Sequence, residues 1–265
     1  MPFTLLAHQA PVLPLKRWWP RLLSTAGLVV GSMAPDLEYF LRGTPVPIVG
    51  HSIVGQFTFC LPLTLAVVLL FERFMAAPLG EHLPDLGPIA LRDVGLLAAN
   101  RPTPRHLAIV AASALIGSLS HIFLDGFTHK HGFAVAWWPA LRRTAVVAGH
   151  AYPIYGLLQR GLSVIFAAVS VWFLVALAHQ RRLADGDRPR APRPDAMTRF
   201  GFFGFALAVA AAGTFYRMAL GPNAAAWHDA WFWGHVALQS TCFGFCGLLA
   251  TCLRRAALSP RRAPA

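Results

Sequence analysis

The chain alternates long apolar runs with short segments rich in arginine, proline and glycine. Five of these runs approach the roughly 20 residues that an α-helix needs to cross a bilayer. They predict membrane-spanning helices at residues 52–71, 107–127, 161–179, 200–220 and 230–253. The pattern therefore predicts an all-α, polytopic helical membrane protein in which residues 1–265 form a single integral membrane domain.

The region before the first predicted span has a different pattern. Residues 22–34 are apolar, but a run of roughly 10 to 14 residues is more often interfacial, re-entrant or packed inside a bundle than spanning. Residues 16–19, KRWW, combine basic and tryptophan side chains as membrane interfaces do. Pro35 is suited to open a new helical turn, and Asp36 and Glu38 follow it. We expect a short amino-terminal helical hairpin that leads into a polar loop.

The connections between the predicted spans are polar or irregular. Residues 76–105 are rich in proline and charge, which predicts a loop with a short helix near residues 89–99. Residues 128–159 predict an irregular connection. Residues 180–199 predict a flexible linker, because their composition cannot bury enough apolar surface to fold alone. A basic tail, residues 254–265, closes the chain.

Composition supports a membrane protein and argues against a soluble one. The chain is 56% hydrophobic and only 13% charged, about half the charged content of an average soluble domain. The formal net charge of +12 comes from arginines in the loops and tails, where they set membrane topology. We therefore expect the lipid bilayer as a partner and no nucleic acid.

The distribution of arginine predicts the orientation of the spans. Most arginines fall in the loop after residue 72, the linker at residues 180–199 and the tail at residues 254–265. The positive-inside rule makes these segments, and the carboxyl terminus, cytoplasmic. His51, at the start of one span, and His121 with Asp125, at the end of the next, then lie near the outer face. His8 joins them only if the amino-terminal hairpin is re-entrant or buried.

Residues 117–132, GSLSHIFLDGFTHKHG, carry the focal motif of the chain. His121, Asp125 and His129 are spaced four residues apart, so on an α-helix they form one stripe. This is how a helix offers two ligands to one metal ion. Ionisable groups inside a membrane-length segment are costly, and their presence indicates a functional site.

The complete candidate ligand set draws on several segments near one predicted face. Imidazoles and carboxylates without cysteine suit zinc or another divalent transition metal. A hydrolytic site uses three protein ligands plus water, or two metals about 3.5–4 Å apart. Glu38 is the candidate catalytic proton acceptor. The candidate metal ligands are His8, Asp36, His51, His121, Asp125 and His129.

Three functions remain open for these residues. The first is a metal-dependent hydrolase that acts on a phosphoester, lipid or cell-envelope substrate at the outer face. The second is a proton or ion path in a transporter, although the chain has no internal repeat and no matching pair of broken helices. The third is a non-catalytic scaffold, in which the side chains only hydrogen-bond between helices, each bond contributing about 1 kcal/mol.

Four segments resemble, in order, the blocks of a bacterial membrane family catalogued as domain of unknown function 4184. They are MPFTLLAHQAPVLPL, GSMAPDLEYFLR, HSIVGQFTFCLPL and SLSHIFLDGFTHKHG. The resemblance runs from residue 1 to about residue 253 and implies an uncharacterised integral membrane protein. With the charge pattern, it predicts a multi-pass protein of the bacterial cytoplasmic (inner) membrane.

The order of the candidate ligands is also distantly similar to that of bacterial membrane-bound metal-dependent hydrolases and zinc-dependent phospholipase C. Two elements of the phospholipase pattern have no counterpart here: a later helix with a histidine and a glutamate, and a free amino-terminal tryptophan. The resemblance therefore implies a site for one or two metals, not three. It matches His8, Asp36, His51, His121 and Asp125, with His129 as a further ligand.

Overall fold

The computed structural model describes residues 4–42, 48–86, 89–90, 102–185, 194–219 and 230–258. About 81% of the residues are helical, which confirms the all-α class. In chain order the elements are α1 (Thr4–Ala7), α2 (Leu13–Trp18), α3 (Thr25–Arg42), α4 (Ile53–His82), β1 (Asp85–Leu86), β2 (Ile89–Ala90), α5 (Pro104–Thr128), α6 (Phe133–Trp137), a 3-10 turn (Pro139–Arg142), β3 (Thr144–Val147), β4 (His150–Pro153), α7 (Ile154–Asp185), α8 (Ala196–Ala219) and α9 (Ala230–Leu258).

Four helical segments within the described residues are long and apolar enough to cross a membrane. They are Ile53–His82, Pro104–Trp137, Ile154–Gln180 and Ala196–Tyr216. These segments indicate a membrane protein and correspond to the first four predicted spans. The fifth predicted span, residues 230–253, lies in α9 but is not among the four, so it stays a prediction.

Pro35 lies inside α3 and does not open it, contrary to the sequence prediction. The helix begins ten residues earlier because Ser24 caps it: the Gly27 amide donates to Ser24 Oγ at 3.1 Å. The apolar run and the acidic segment after Pro35 therefore form one helix.

Several connections are more regular than predicted. Ile89–Ala90 pairs with Asp85–Leu86 as a short antiparallel ladder, where we expected the start of a helix, and residues 91–99 lie outside the described residues. Within the predicted irregular connection, β3 and β4 form a hairpin. Its two turn residues, Ala148 and Gly149, have φ values of 50° and 79°, as a type I′ turn requires. The predicted linker also begins later, since α7 continues to Asp185.

The chain forms two compact units. The first contains Met1–Leu37, Ile48–Val68 and Pro102–Ala176. The second contains Glu38–Pro47, Leu69–Arg101 and Leu177–Ala265. The core of the second unit is built from Met75, Phe202 and Cys252.

Small residues let α3 and α5 of the first unit pack with their backbones in contact. A Cβ atom on Gly31 would lie 2.5 Å from the carbonyl oxygen of Ala114. A Cβ atom on Gly117 would lie 2.6 Å from the Ser32 amide nitrogen and 2.7 Å from the Leu28 carbonyl oxygen. This glycine seam brings the backbone of α3 against the end of α5 that carries the focal motif, as small-residue interfaces do in membrane bundles.

Candidate metal centre

The six predicted ligands all belong to the first unit. His8 follows α1, Asp36 is on α3, and His51 is in the turn before α4. The helix α5 carries His121 and Asp125, and His129 is the residue that ends it.

His51 is held in place by the first turn of α4. Ser52 caps that helix, with its Oγ accepting from the Gly55 amide at 2.9 Å. The Gln56 side chain reaches back and donates to the Gly50 carbonyl at 2.7 Å. A π-helical turn, Gln56–Cys60, follows directly; such turns are frequent at functional sites. Both residues that flank His51 are therefore fixed by local hydrogen bonds.

His121 is fully buried, and the backbone of α3 sets its orientation. Its Nδ1 lies 2.7 Å from the Ser32 carbonyl oxygen, which can only accept, so Nδ1 carries the proton. Its Nε2 is buried without a hydrogen-bond partner among the described residues. That atom lies 3.3 Å from Asp125 Oδ2 and 3.5 Å from Asp36 Oδ1. The Nε2 atom therefore faces two carboxylates, an arrangement that a proton on Nε2 or a metal ion between the groups would satisfy.

The Nε2 atom of His51 completes a set of four donor atoms. It lies 3.5 Å from Asp36 Oδ1 and 3.4 Å from Asp125 Oδ2. Around a tetrahedral zinc ion with bonds of roughly 2.0–2.2 Å, ligand atoms are about 3.3–3.6 Å apart. The four His-to-Asp distances are of this size. Two sets of three residues have all their donor atoms within 4.8 Å of one another: Asp36, His51 and His121, and His8, His121 and Asp125. We call the space between Asp36, His51, His121 and Asp125 the inner position.

His8 and His129 lie on the other side of the Asp125 carboxylate. The His8 ring stacks on His121 with centroids 3.7 Å apart, and its Nε2 is 3.7 Å from Asp125 Oδ1. His129 Nδ1 is 3.2 Å from the same oxygen and 3.2 Å from Thr128 Oγ1. The structure therefore brings all six predicted ligands to one place.

The protonation states of His8 and Asp36, which lie outside the membrane-spanning helices, favour the binding of a cation. Burial, together with the neighbouring His121, lowers the pKa of His8 to about 4, so its ring is neutral at pH 7. Burial alone would raise the pKa of Asp36, but the imidazoles of His121 and His51 outweigh it and hold that pKa well below its usual range. A neutral imidazole and an ionised carboxylate are the forms that bind metals.

A family model for the domain of unknown function DUF4184 matches residues 1–253, a range that includes every candidate ligand. The chain belongs to the DUF4184 family. No curated protein and no solved structure matches it. The family description names no activity, and the more distant resemblance to metal-dependent hydrolases and phospholipase C stays a prediction.

Glu38, the predicted proton acceptor of this DUF4184 protein, is on α3 and only 2% exposed. Residues two apart on an α-helix point about 200° from each other. The helix therefore directs Glu38 and Asp36 to different sides, and the role of Glu38 stays a prediction.

Two partners of the site were not found from the sequence. The Ser32 carbonyl could not be predicted as a partner, because every residue has a backbone carbonyl. Gln159 lies with its amide nitrogen 3.1 Å from His129 Nε2. Gln159 is a polar residue just before a long apolar run, and that position could have indicated a polar contact at the end of the span. Both groups orient imidazoles, as the outer contacts of metal-binding histidines do.

A pocket of about 320 Å³, including the space at its mouth, lies beside the site. Its polar wall includes His8, Asp125, His129 and Gln159. Apolar side chains complete it, among them Leu124, Leu162 and Phe166.

Proposed function

We propose that this DUF4184 protein is a metal-dependent membrane hydrolase that binds zinc or another divalent transition metal at the inner position. The observation that carries the proposal is the buried Nε2 of His121, aimed at Asp36 and Asp125 with its ring oriented by Ser32. Of the candidate roles, metal binding fits this arrangement best.

The distances favour a metal ion over a proton. Hydrogen bonds between an imidazolium and a carboxylate span roughly 2.7–2.9 Å. The four distances at the inner position are 3.3–3.5 Å, and each imidazole nitrogen faces both carboxylates. This is the spacing of ligands around a central ion. A set of helix-to-helix hydrogen bonds, or a proton path, would bring donor and acceptor closer.

A metal at this site would lower the pKa of a bound water to near 7 and make hydroxide available for hydrolysis. The ligand residues of the first unit would hold the metal and orient its bound water. The proposed substrate is a phosphoester, lipid or cell-envelope compound at the outer face. The position of the site at one end of α5 and the arginine distribution support that placement.

Elemental analysis of the detergent-purified protein tests the proposal. We expect about one or two equivalents of zinc or manganese in the wild type and their loss in His121→Ala. His82→Ala is the matched control, since His82 is also fully buried but belongs to the second unit. A folded wild-type protein without stoichiometric metal, even after zinc is added, would overturn the proposal in favour of a scaffold or a proton path.

If metal is found, a screen of phosphoesters and lipids follows. Turnover that requires the metal and disappears in His121→Ala would support hydrolysis. Metal-coupled proton flux in vesicles, without turnover, would indicate a transporter instead.

A further inference from the structure

His129 has a polar neighbour at each ring nitrogen, and these neighbours determine where the imidazole proton lies. The side-chain amide nitrogen of Gln159, on α7, is 3.1 Å from His129 Nε2. An amide nitrogen can only donate a hydrogen bond, so Nε2 is the ring nitrogen without a proton. In a neutral imidazole the other nitrogen, Nδ1, then carries the proton.

The surroundings of Nδ1 contain the acceptors that this proton needs. Thr128 Oγ1 lies 3.2 Å away, and its hydroxyl donates to the Leu124 carbonyl at 3.3 Å, which leaves an oxygen lone pair for Nδ1. Asp125 Oδ1, a buried oxygen without a hydrogen-bond partner elsewhere among the described residues, is also 3.2 Å from Nδ1. One tautomer therefore satisfies both sides of the ring, and an N–H group faces Asp125.

The main chain holds His129 in this place. The helix α5 ends at Thr128, and His129 follows with extended backbone angles, φ −117° and ψ 144°. Its amide donates to the Asp125 carbonyl at 3.0 Å, and its carbonyl accepts from the Gly132 amide at 2.8 Å. The ring beside the Asp125 carboxylate is therefore attached to an anchored backbone.

His129 differs in its surroundings from the other predicted ligands. It belongs to neither of the two groups of described residues whose donor atoms lie within 4.8 Å of one another. Its side chain is 48% exposed, whereas that of His121 is fully buried. Around metal sites, groups outside the ligands hydrogen-bond to those ligands and orient them. His129 is placed as such a group, and Asp125 is the ligand that it contacts.

We propose that His129 is a positioning residue and not a metal ligand: its Nδ1–H group holds the Asp125 carboxylate, and Gln159 keeps the proton on Nδ1. This inference rests on the proposed function, and it differs from the ligand role that the resemblance implies for His129. A hydrogen bond to Oδ1 favours the ionised carboxylate and leaves Oδ2 for the inner position, 3.3 Å from His121 Nε2. Gln159 thereby connects α7 to the centre through His129.

NMR of the histidine rings in the metal-free, full-length protein in detergent measures the tautomer. Long-range proton–nitrogen correlations at about pH 8, where an ordinary imidazole is neutral, distinguish a proton on Nδ1 from one on Nε2. The signals of His129 are assigned by their absence from His129→Asn. We expect the Nδ1-protonated form in the wild type. Gln159→Glu replaces the donor by an acceptor and should put a proton on Nε2.

Zinc affinity, measured by competition with a chelator, tests the role of the Nδ1 proton. His129→Ala should weaken binding at the inner position by about tenfold and keep its stoichiometry, because it removes a contact outside the ligands. His129→Asn should restore most of the affinity, since its amide can donate to Asp125 and is not among the usual zinc ligands. His131→Ala is the matched control, because His131 is an exposed histidine two positions away and should leave the affinity unchanged.

The failures of the two proposals are distinguishable. If His129→Asn loses as much affinity as His129→Ala, or either variant loses an equivalent of zinc, His129 is a ligand and the inference is overturned while the proposed function stands. Unchanged affinity in His129→Ala, or an Nε2-protonated His129 in the wild type, also overturns it. A Gln159→Glu protein that keeps its proton on Nδ1 alone removes Gln159 from the proposal. A folded wild-type protein that binds no zinc overturns the proposed function, and the positioning role with it.

Discussion

At the scale of single residues, two features define the centre. One ring nitrogen of an imidazole contacts a neighbouring protein group while the other faces a carboxylate, and each carboxylate faces more than one imidazole. The Ser32 carbonyl fixes the tautomer of His121, which leaves Nε2 for the cation. Asp36 contacts both His51 and His121, so it links the loop before α4 to α5. A change that removes only the charge of Asp36 therefore separates metal binding from side-chain shape.

Asp36→Asn should weaken zinc binding at the inner position by more than about tenfold, because an amide replaces a charged ligand. Competition with a chromogenic chelator measures the affinity. The control is Asp195→Asn, since Asp195 is exposed and only caps α8 through the Thr198 amide. Equal zinc affinity in Asp36→Asn and wild type would remove Asp36 from the ligand set.

The ligand types were predictable at this scale, and their distances were not. Four-residue spacing put His121 and Asp125 on one helical stripe, and the positive-inside rule put His51 near them. The pairing of His121 with Ser32 depends on how closely two helices approach. The distance between α3 and α5 depends on how they pack, and the residue type at position 32 does not predict it.

At the scale of elements, the glycine seam between α3 and α5 determines the geometry of the centre. Gly117 lies one helical turn before His121, and its neighbours on α3 are backbone atoms that cannot rotate away. Any side chain at position 117 must push the two helices apart. The distance from His121 to the Ser32 carbonyl then increases.

Gly117→Ala should lower the free energy of unfolding by about 1–3 kcal/mol through overpacking and reduce the metal content. Thermal melting in detergent and elemental analysis check both effects. Gly161→Ala is the control in the same unit, because a Cβ atom there meets nothing within 4 Å. A stable, metal-replete Gly117→Ala protein would show that α3 and α5 have room to separate.

The elements themselves were predictable to different degrees. Long apolar runs gave four of the spans, because a run of that length has few alternatives to a membrane helix. The hairpin β3–β4 was missed because Ala148 occupies a left-handed position usually taken by asparagine, aspartate or glycine. The start of α3 was missed because Ser24 lies inside the apolar run at residues 22–34 and was a weaker signal than Pro35.

At the scale of the whole molecule, the centre joins parts of the chain that are far apart in sequence. His8 and Asp125 are 117 positions apart in the sequence, and His8 Nε2 lies 3.7 Å from Asp125 Oδ1. A cation bound only in the folded state stabilises that state by mass action. The metal should therefore contribute to the stability of the first unit as well as to chemistry.

Removal of the metal by a chelator should lower the melting temperature of the wild-type protein, and added zinc should restore it. At a free zinc concentration of 100 times Kd, the expected stabilisation is about 2.7 kcal/mol. The melting temperature of Asp125→Asn should not respond to either treatment. A chelator response of the same size in Asp125→Asn would place the stabilising metal elsewhere.

The hydrogen bond from His121 to the Ser32 carbonyl has one more consequence, for genetics. Its acceptor belongs to the main chain, so no codon change at position 32 deletes it. A screen that replaces side chains one by one would pass over this contact and register its loss at Gly117 instead. Substitution of Gly117 would therefore reveal a contact whose acceptor belongs to Ser32.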